Sequence, residues 1–115
     1  MTIDILLNKL NNTPDTITFS EVMETIELHF IFTETAFTNG KQHNQAGENS
    51  GSCKVFSFAR LHQLTEHQTL ALFGEYYRDD VLKNPDLDDH QNIRQFMQHG
   101  FQGITFEKEA LTAKQ

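Results

Sequence analysis

The chain has 115 residues, 37% of them hydrophobic, with ten phenylalanines and no tryptophan; that length suits one domain around a single core and leaves no room for a second. Nine Lys and Arg against 16 Asp and Glu leave a formal charge of -7, and with no basic tract this excludes nucleic acid and anionic membrane surfaces as natural partners. A single cysteine cannot close an internal disulfide, and no segment has the make-up of an export signal or bilayer span, so the expected compartment is the cytoplasm.

Ile3, Leu6, Leu7 and Leu10 recur at helical spacing, and "NNTPD" ends the pattern, which predicts an amphipathic helix over 3–11. In "TITFSEVMETIELHF" Thr18 and Glu21 have capping-box spacing, and Phe19, Val22, Met23, Ile26 and Phe30 form one apolar stripe. From Phe30 the aromatic and β-branched run "FIFTETAFTNG" predicts a strand stopping at Asn39-Gly40, with "GITF" at 103–106 as its partner in a small sheet. Residues 40–52 form a polar loop long enough to suggest a lid or binding segment.

"CKVFSFARLHQL" has strand-like Val and Phe content, but Ser52 as N-cap and the spacing of Val55, Phe56 and Ala59 favour helix. Thr65 and Gln68 cap the next helix, which carries Leu70, Phe73, Tyr77 and Val81 to "KNPD", with a kink or close approach expected at Gly74. In "DDHQNIRQFMQHG" Asp88 is the expected cap, Ile93, Phe96 and Met97 the inward face, and Gly100 the stop. Residues 107–115 are polar and expected to fray. The fold class is α+β: one helix-rich domain over 1–115 with a small sheet.

Two chemistries suggest themselves around the loop. With Ser52 as cap, Cys53 falls in the first turn of a helix, where free N–H groups, the macrodipole and Lys54 favour a thiolate. His62 lies nine residues further on the same helix, too far to serve as base, so His43 on the loop, or His67, His90 or His99 from elsewhere, is the candidate partner. The opposite reading makes Cys53 a small apolar core residue. "NSGS" ahead of a helix is also backbone that can aim several N–H groups at one small anionic ligand, with Asn39, Asn44, Asn49, Ser52 and Lys54 nearest to it. The spacing of a P-loop is absent.

No histidine or cysteine pair has metal-ligand spacing, and "DLDDH" lacks the glycine and distal glutamate of a calcium loop, so neither a metal nor a cofactor is expected. In "GEYYRDDVL" Tyr76, Tyr77 and Arg78 are candidates for contact with a protein partner.

Together "FTETAFTNG", "NQAGENSGSCKVFSFARLH", "TLALFGEYYRDDVL" and "DHQNIRQFMQHGFQGITF", from Phe32 to Phe106, resemble the HopJ type III effector family of small bacterial proteins. The resemblance implies an α+β domain of this size, a role as an effector injected into host cells and therefore secretion from the bacterium by a type III system. It brings no catalytic or ligand residues. A type III signal is a flexible, Ser-rich N-terminus, whereas residues 3–11 here read as helix.

The leading reading is a non-enzymatic interaction or small-ligand-binding protein working through the 39–54 loop. The alternative is a thiol-dependent enzyme with a housekeeping role, with Cys53 as nucleophile and His43 as base.

Overall fold

Local caps decide where the first helices begin in the computed structural model, which describes residues 1–114. The Thr2 hydroxyl accepts from the Ile5 N–H and opens α1 (Ile3–Asn12), which buries Leu6 and Leu10. A 3-10 turn over Pro14–Thr16 leads into α2 (Phe19–His29), where Thr18 and Glu21 form the predicted capping box. Lys9 of α1 reaches Glu21 at 2.7 Å. Burial alone would raise the Glu21 carboxyl, but Lys9 and the Thr18 N–H outweigh it and hold the group below its ordinary range.

The strand predicted from Phe30 to Gly40 is two strands in two sheets. β1 (Phe30–Phe32) continues directly from α2, and β2 (Phe37–Asn39) follows a break at 33–36. β2 forms a hairpin with β3 (Gln42–Asn44), turned at Gly40 with φ +59°, and pairs on its other side with β4 (Ile104–Phe106). The expected pairing with "GITF" therefore holds for the second half of the run. β1 pairs instead with β5 (Leu111–Ala113), with Phe32 opposite Leu111.

That last strand corrects the expectation of a frayed 107–115. Ala110 and Leu111 are buried, and the Thr33 N–H donates to the Ala110 carbonyl at 2.7 Å, so two apolar residues in polar company anchor the segment. Gln115 lies outside the described residues.

α3 (Ser50–Leu61) starts three residues before its expected first position, with Asn49 rather than Ser52 as N-cap. α4 (Glu66–Ala71) opens on the Thr65–Gln68 capping box. Gly74 takes φ +59°, and a Cβ there would sit 2.6 Å from the Phe19 nitrogen, so only glycine lets this turn press on the start of α2. Beyond it Tyr76–Val81 forms a π-helical turn.

α5 (Gln91–His99) is capped by His90, not Asp88, and ends at Gly100 as predicted. Met97 is exposed, contrary to expectation. The polar Asn92 and Gln95 share the buried face with Ile93 and Phe96.

Phe56 of α3 sits at the centre of the core. Its ring meets Phe73 edge-on at 5.4 Å, Phe96 at 5.1 Å and Phe37 of β2 at 6.3 Å, which joins α3, α5 and the three-stranded sheet through one aromatic cluster.

Candidate functional site

A helix begins with N–H groups that have no partner inside the helix. Thr2, Thr18 and Thr65 cap such groups for α1, α2 and α4. Asn49 and His90, ahead of α3 and α5, do not. Both take a left-handed backbone with φ 51°, and neither side chain bonds to its helix.

Among the described residues the N–H groups of Ser50, Gly51, Ser52, Gln91 and Asn92 have no hydrogen-bond partner in the protein. Neither helix carries an acidic residue in its first turn. Both N-termini line one cleft of about 500 Å³, so two positive dipole ends meet in the same space.

The rest of the cleft is aromatic. Phe19, Phe73 and Tyr76 line it, with Tyr76 tilted 4.9 Å from Phe19 and stacked 5.2 Å from the His90 ring. His90 Nε2 is 3.0 Å from an Asp80 carboxylate oxygen, which fixes the ring's orientation. A Cβ on Gly51 would lie 2.8 Å from the Phe19 ring, so glycine keeps the Phe19 wall close to the free amides.

A network of asparagines holds the two helix starts together. Asn92 Nδ2 donates to Asn44 Oδ1 at 3.0 Å, and Asn44 Nδ2 returns a bond to Asn92 Oδ1 at 3.3 Å. Asn39 Nδ2 donates to the Asn92 carbonyl at 2.7 Å, and Asn49 Nδ2 donates to Asn44 Oδ1 at 2.7 Å. β2, β3, the start of α5 and the N-cap of α3 are thus tied by one buried set of amides, which specifies geometry more sharply than apolar packing would.

The residues expected around a ligand therefore divide. Asn49 and Ser52 line the cleft. Asn39 and Asn44 are 0% and 3% exposed, and their amides are committed to the network; they shape the site and touch nothing in it. Lys54 is drawn away to Glu27 at 3.1 Å and lies over the Phe32 ring.

The two members of the expected catalytic pair lie in unlike surroundings, Cys53 buried and His43 exposed. Because α3 begins at Ser50, the Cys53 N–H is already bonded to the Asn49 carbonyl at 3.0 Å, and the side chain is 1% exposed. Burial pushes the thiol up to about 11, against the smaller thiolate-favouring effects of the Ser57 hydroxyl and Lys54. His43 and Asn44 point to opposite faces of β3. Asn44 enters the network, while His43 is exposed with its Nδ1 3.4 Å from the Thr38 hydroxyl.

The proposed partner-contact residues also diverge. Tyr76 lines the cleft, Tyr77 packs on the core, and Arg78 donates to the Ile17 carbonyl at 2.6 Å. Among the described residues no three His, Cys, Asp or Glu side chains gather as a metal site would require.

Gln91, Asn92, Phe19 and Phe73 are parts of the site that the sequence did not single out, and His90, considered there only as a base for Cys53, lines the cleft instead. The signal for Asn92 was a polar residue beside Ile93 on an inward face, which needs a buried partner.

The family model described as HopJ type III effector protein matches residues 3–111, which extends the resemblance through α1. A crystal structure described as the unknown function protein VPA0580 is similar over 99% of this chain and 95% of its own, at 50% sequence identity and a TM-score of 0.97. A comparison with curated proteins finds no match.

Proposed function

The chain belongs to the HopJ type III effector family, and within that family we propose that it works by non-covalent capture of a small anionic ligand in the cleft between the starts of α3 and α5. The observation that carries this is the pair of uncapped helix N-termini, with no first-turn acid, that bring the unpartnered N–H groups of Gly51, Ser52, Gln91 and Asn92 to one cavity. A bound anion would complete these groups much as the threonine oxygens do at the other helices. The aromatic wall suits an anion that carries a ring.

The test is an NMR titration with phenyl phosphate. Saturable, concerted shifts of the Ser50, Gly51, Ser52, Gln91 and Asn92 amides are expected, with affinity falling about tenfold or more in Ser52→Glu, where a carboxylate competes for the same donors. Shifts that do not saturate, or that survive unchanged in Ser52→Glu, would remove the reading. The raised thiol favours this reading over the thiol-enzyme alternative, since a neutral buried sulfur is a poor nucleophile.

Delivery into a host cell is a second reading, supported by the description of the matching family model. A reporter fused to the N-terminal region and expressed beside a working injectisome tests it. Signal inside the host cell is expected, and a reporter retained in the bacterium would leave a role in the producing cell.

A further inference from the structure

A second cavity, of about 430 Å³, lies beside the C-terminal end of α3, bordered by the chain that runs from β4 to β5. It is about 13 Å along the helix axis from the anion cleft, counting nine residues from Ser52 to Leu61. Its size falls within the range of small-molecule sites, roughly 300–1,000 Å³.

Ser57, Arg60 and Leu61 stand three and four residues apart and so share one face of α3. Opposite them are Phe106, Lys108, Ala110 and Leu111. Leu61 is 53% exposed, although it borders a groove whose floor, Ala110 and Leu111, is buried.

The walls are held in place without an occupant. Arg60 Nη2 donates to the Ile104 carbonyl at 3.2 Å, and its guanidinium lies 5.3 Å from the Phe106 ring centroid. The Lys108 N–H donates to the Thr35 hydroxyl at 3.2 Å, and the Ala110 carbonyl accepts from Thr33. Leu111 is paired with Phe32 across the two-stranded sheet.

Charge selects the occupant. Lys9, Lys54, Lys83 and Arg94 are each ion-paired. Among the described residues Lys41, Arg60, Arg78, Lys108 and Lys114 are not, and of these Arg60 and Lys108 flank the same groove, with Glu109 as the carboxylate in its lining. An acidic chain thus sets two unneutralised cations against one carboxylate at the mouth of an apolar slot. A planar guanidinium is well suited to a carboxylate.

We infer that this groove binds an amphipathic monocarboxylate of the fatty-acid class, with its chain along Leu61, Phe106 and Leu111 and its carboxylate between Arg60 and Lys108. This site is separate from the anion cleft and does not depend on it.

The experiment is an NMR titration of the full chain with decanoate, decanol and decyltrimethylammonium, each below its aggregation point. Decanoate is expected to give saturable shifts at Leu61, Phe106 and Leu111, with decanol and the cation at least about tenfold weaker. Leu61→Glu, at an exposed position, should weaken decanoate by about tenfold, and Lys108→Glu should do the same from the opposite wall; unchanged melting temperatures would show that both variants fold. Decanol binding as well as decanoate, shifts confined to the amides of Ser50 to Ser52, or full binding by both folded variants would overturn the inference.

Discussion

The asparagine network and the Cys53 corner are adjacent at the start of α3, and both drew attention as possible chemistry. In the network, buried polar side chains find polar partners: Asn44 and Asn92 exchange bonds at 3.0 and 3.3 Å, and Asn39 donates to the Asn92 carbonyl at 2.7 Å. At Cys53 one group is buried among apolar neighbours, and its ionisation is suppressed. Backbone groups left without protein partners lie between them, on Ser50, Gly51 and Ser52. Buried polarity here positions and buried sulfur packs; inside the network Asn39 Oδ1 has no partner, and the free backbone N–H groups of Gly51 and Ser52 belong to residues that line the cavity.

The largest effect expected from breaking this arrangement is at Asn92. Asn92→Leu would remove the two bonds that its side chain exchanges with Asn44 and the one it accepts from Asn39, while Asn39 keeps the residue-92 carbonyl and Asn44 keeps the Phe37 carbonyl and the Asn49 amide, at a cost of about 2 kcal/mol. Urea unfolding would read this as a lower midpoint at unchanged slope. Loss below about 1 kcal/mol would mean that the network contributes little beyond packing.

At Cys53 the effect is smaller and depends on pH. Cys53→Ala should cost only about 1 kcal/mol at neutral pH, close to the value of one buried carbon-sized group. The folded thiol titrates at about 11, above the roughly 8.5 of a free thiol. The stabilisation from keeping it protonated is therefore fully present below the free-thiol value, and it falls as pH climbs through the window up to the folded value, because the unfolded chain releases its proton first. Cys53→Ala should lack that part of the alkaline slope. Iodoacetamide should label the native protein slowly at pH 8 and the urea-unfolded protein quickly; fast labelling of the native form would contradict a sealed thiol.

The same contrast explains what the amino-acid order could disclose. The capping boxes of Thr18–Glu21 and Thr65–Gln68 were legible because both partners lie within one turn. The starts of α3 and α5 were misplaced because Asn49 and His90 leave their helices uncapped, and a missing cap has no local signature. "FIFTETAFTNG" was read as one strand because its composition is continuous, whereas its division follows from partners more than sixty residues away, Leu111 to Ala113 for β1 and Ile104 to Phe106 for β2. The loop was identified as the working region and Asn49 and Ser52 do line the cleft, but the burial of Asn39 and Asn44 depends on Asn92, 53 and 48 positions later. One side of the cleft, His90 to Ile93, comes from the start of α5, which no feature of the loop itself could disclose.

The hairpin turn at Asn39-Gly40 carries a chemical consequence. In a loose chain this dipeptide ages readily, because the glycine nitrogen attacks the asparagine side-chain carbonyl and expels ammonia through a cyclic imide. Here the Gly40 nitrogen is occupied by the Gly103 carbonyl at 2.9 Å, and the Asn39 amide is pinned by Asn92. The native fold thus shields its own most perishable linkage, and peptide mapping would find deamidation concentrated at that one bond in protein stored unfolded in urea and little of it in protein stored folded.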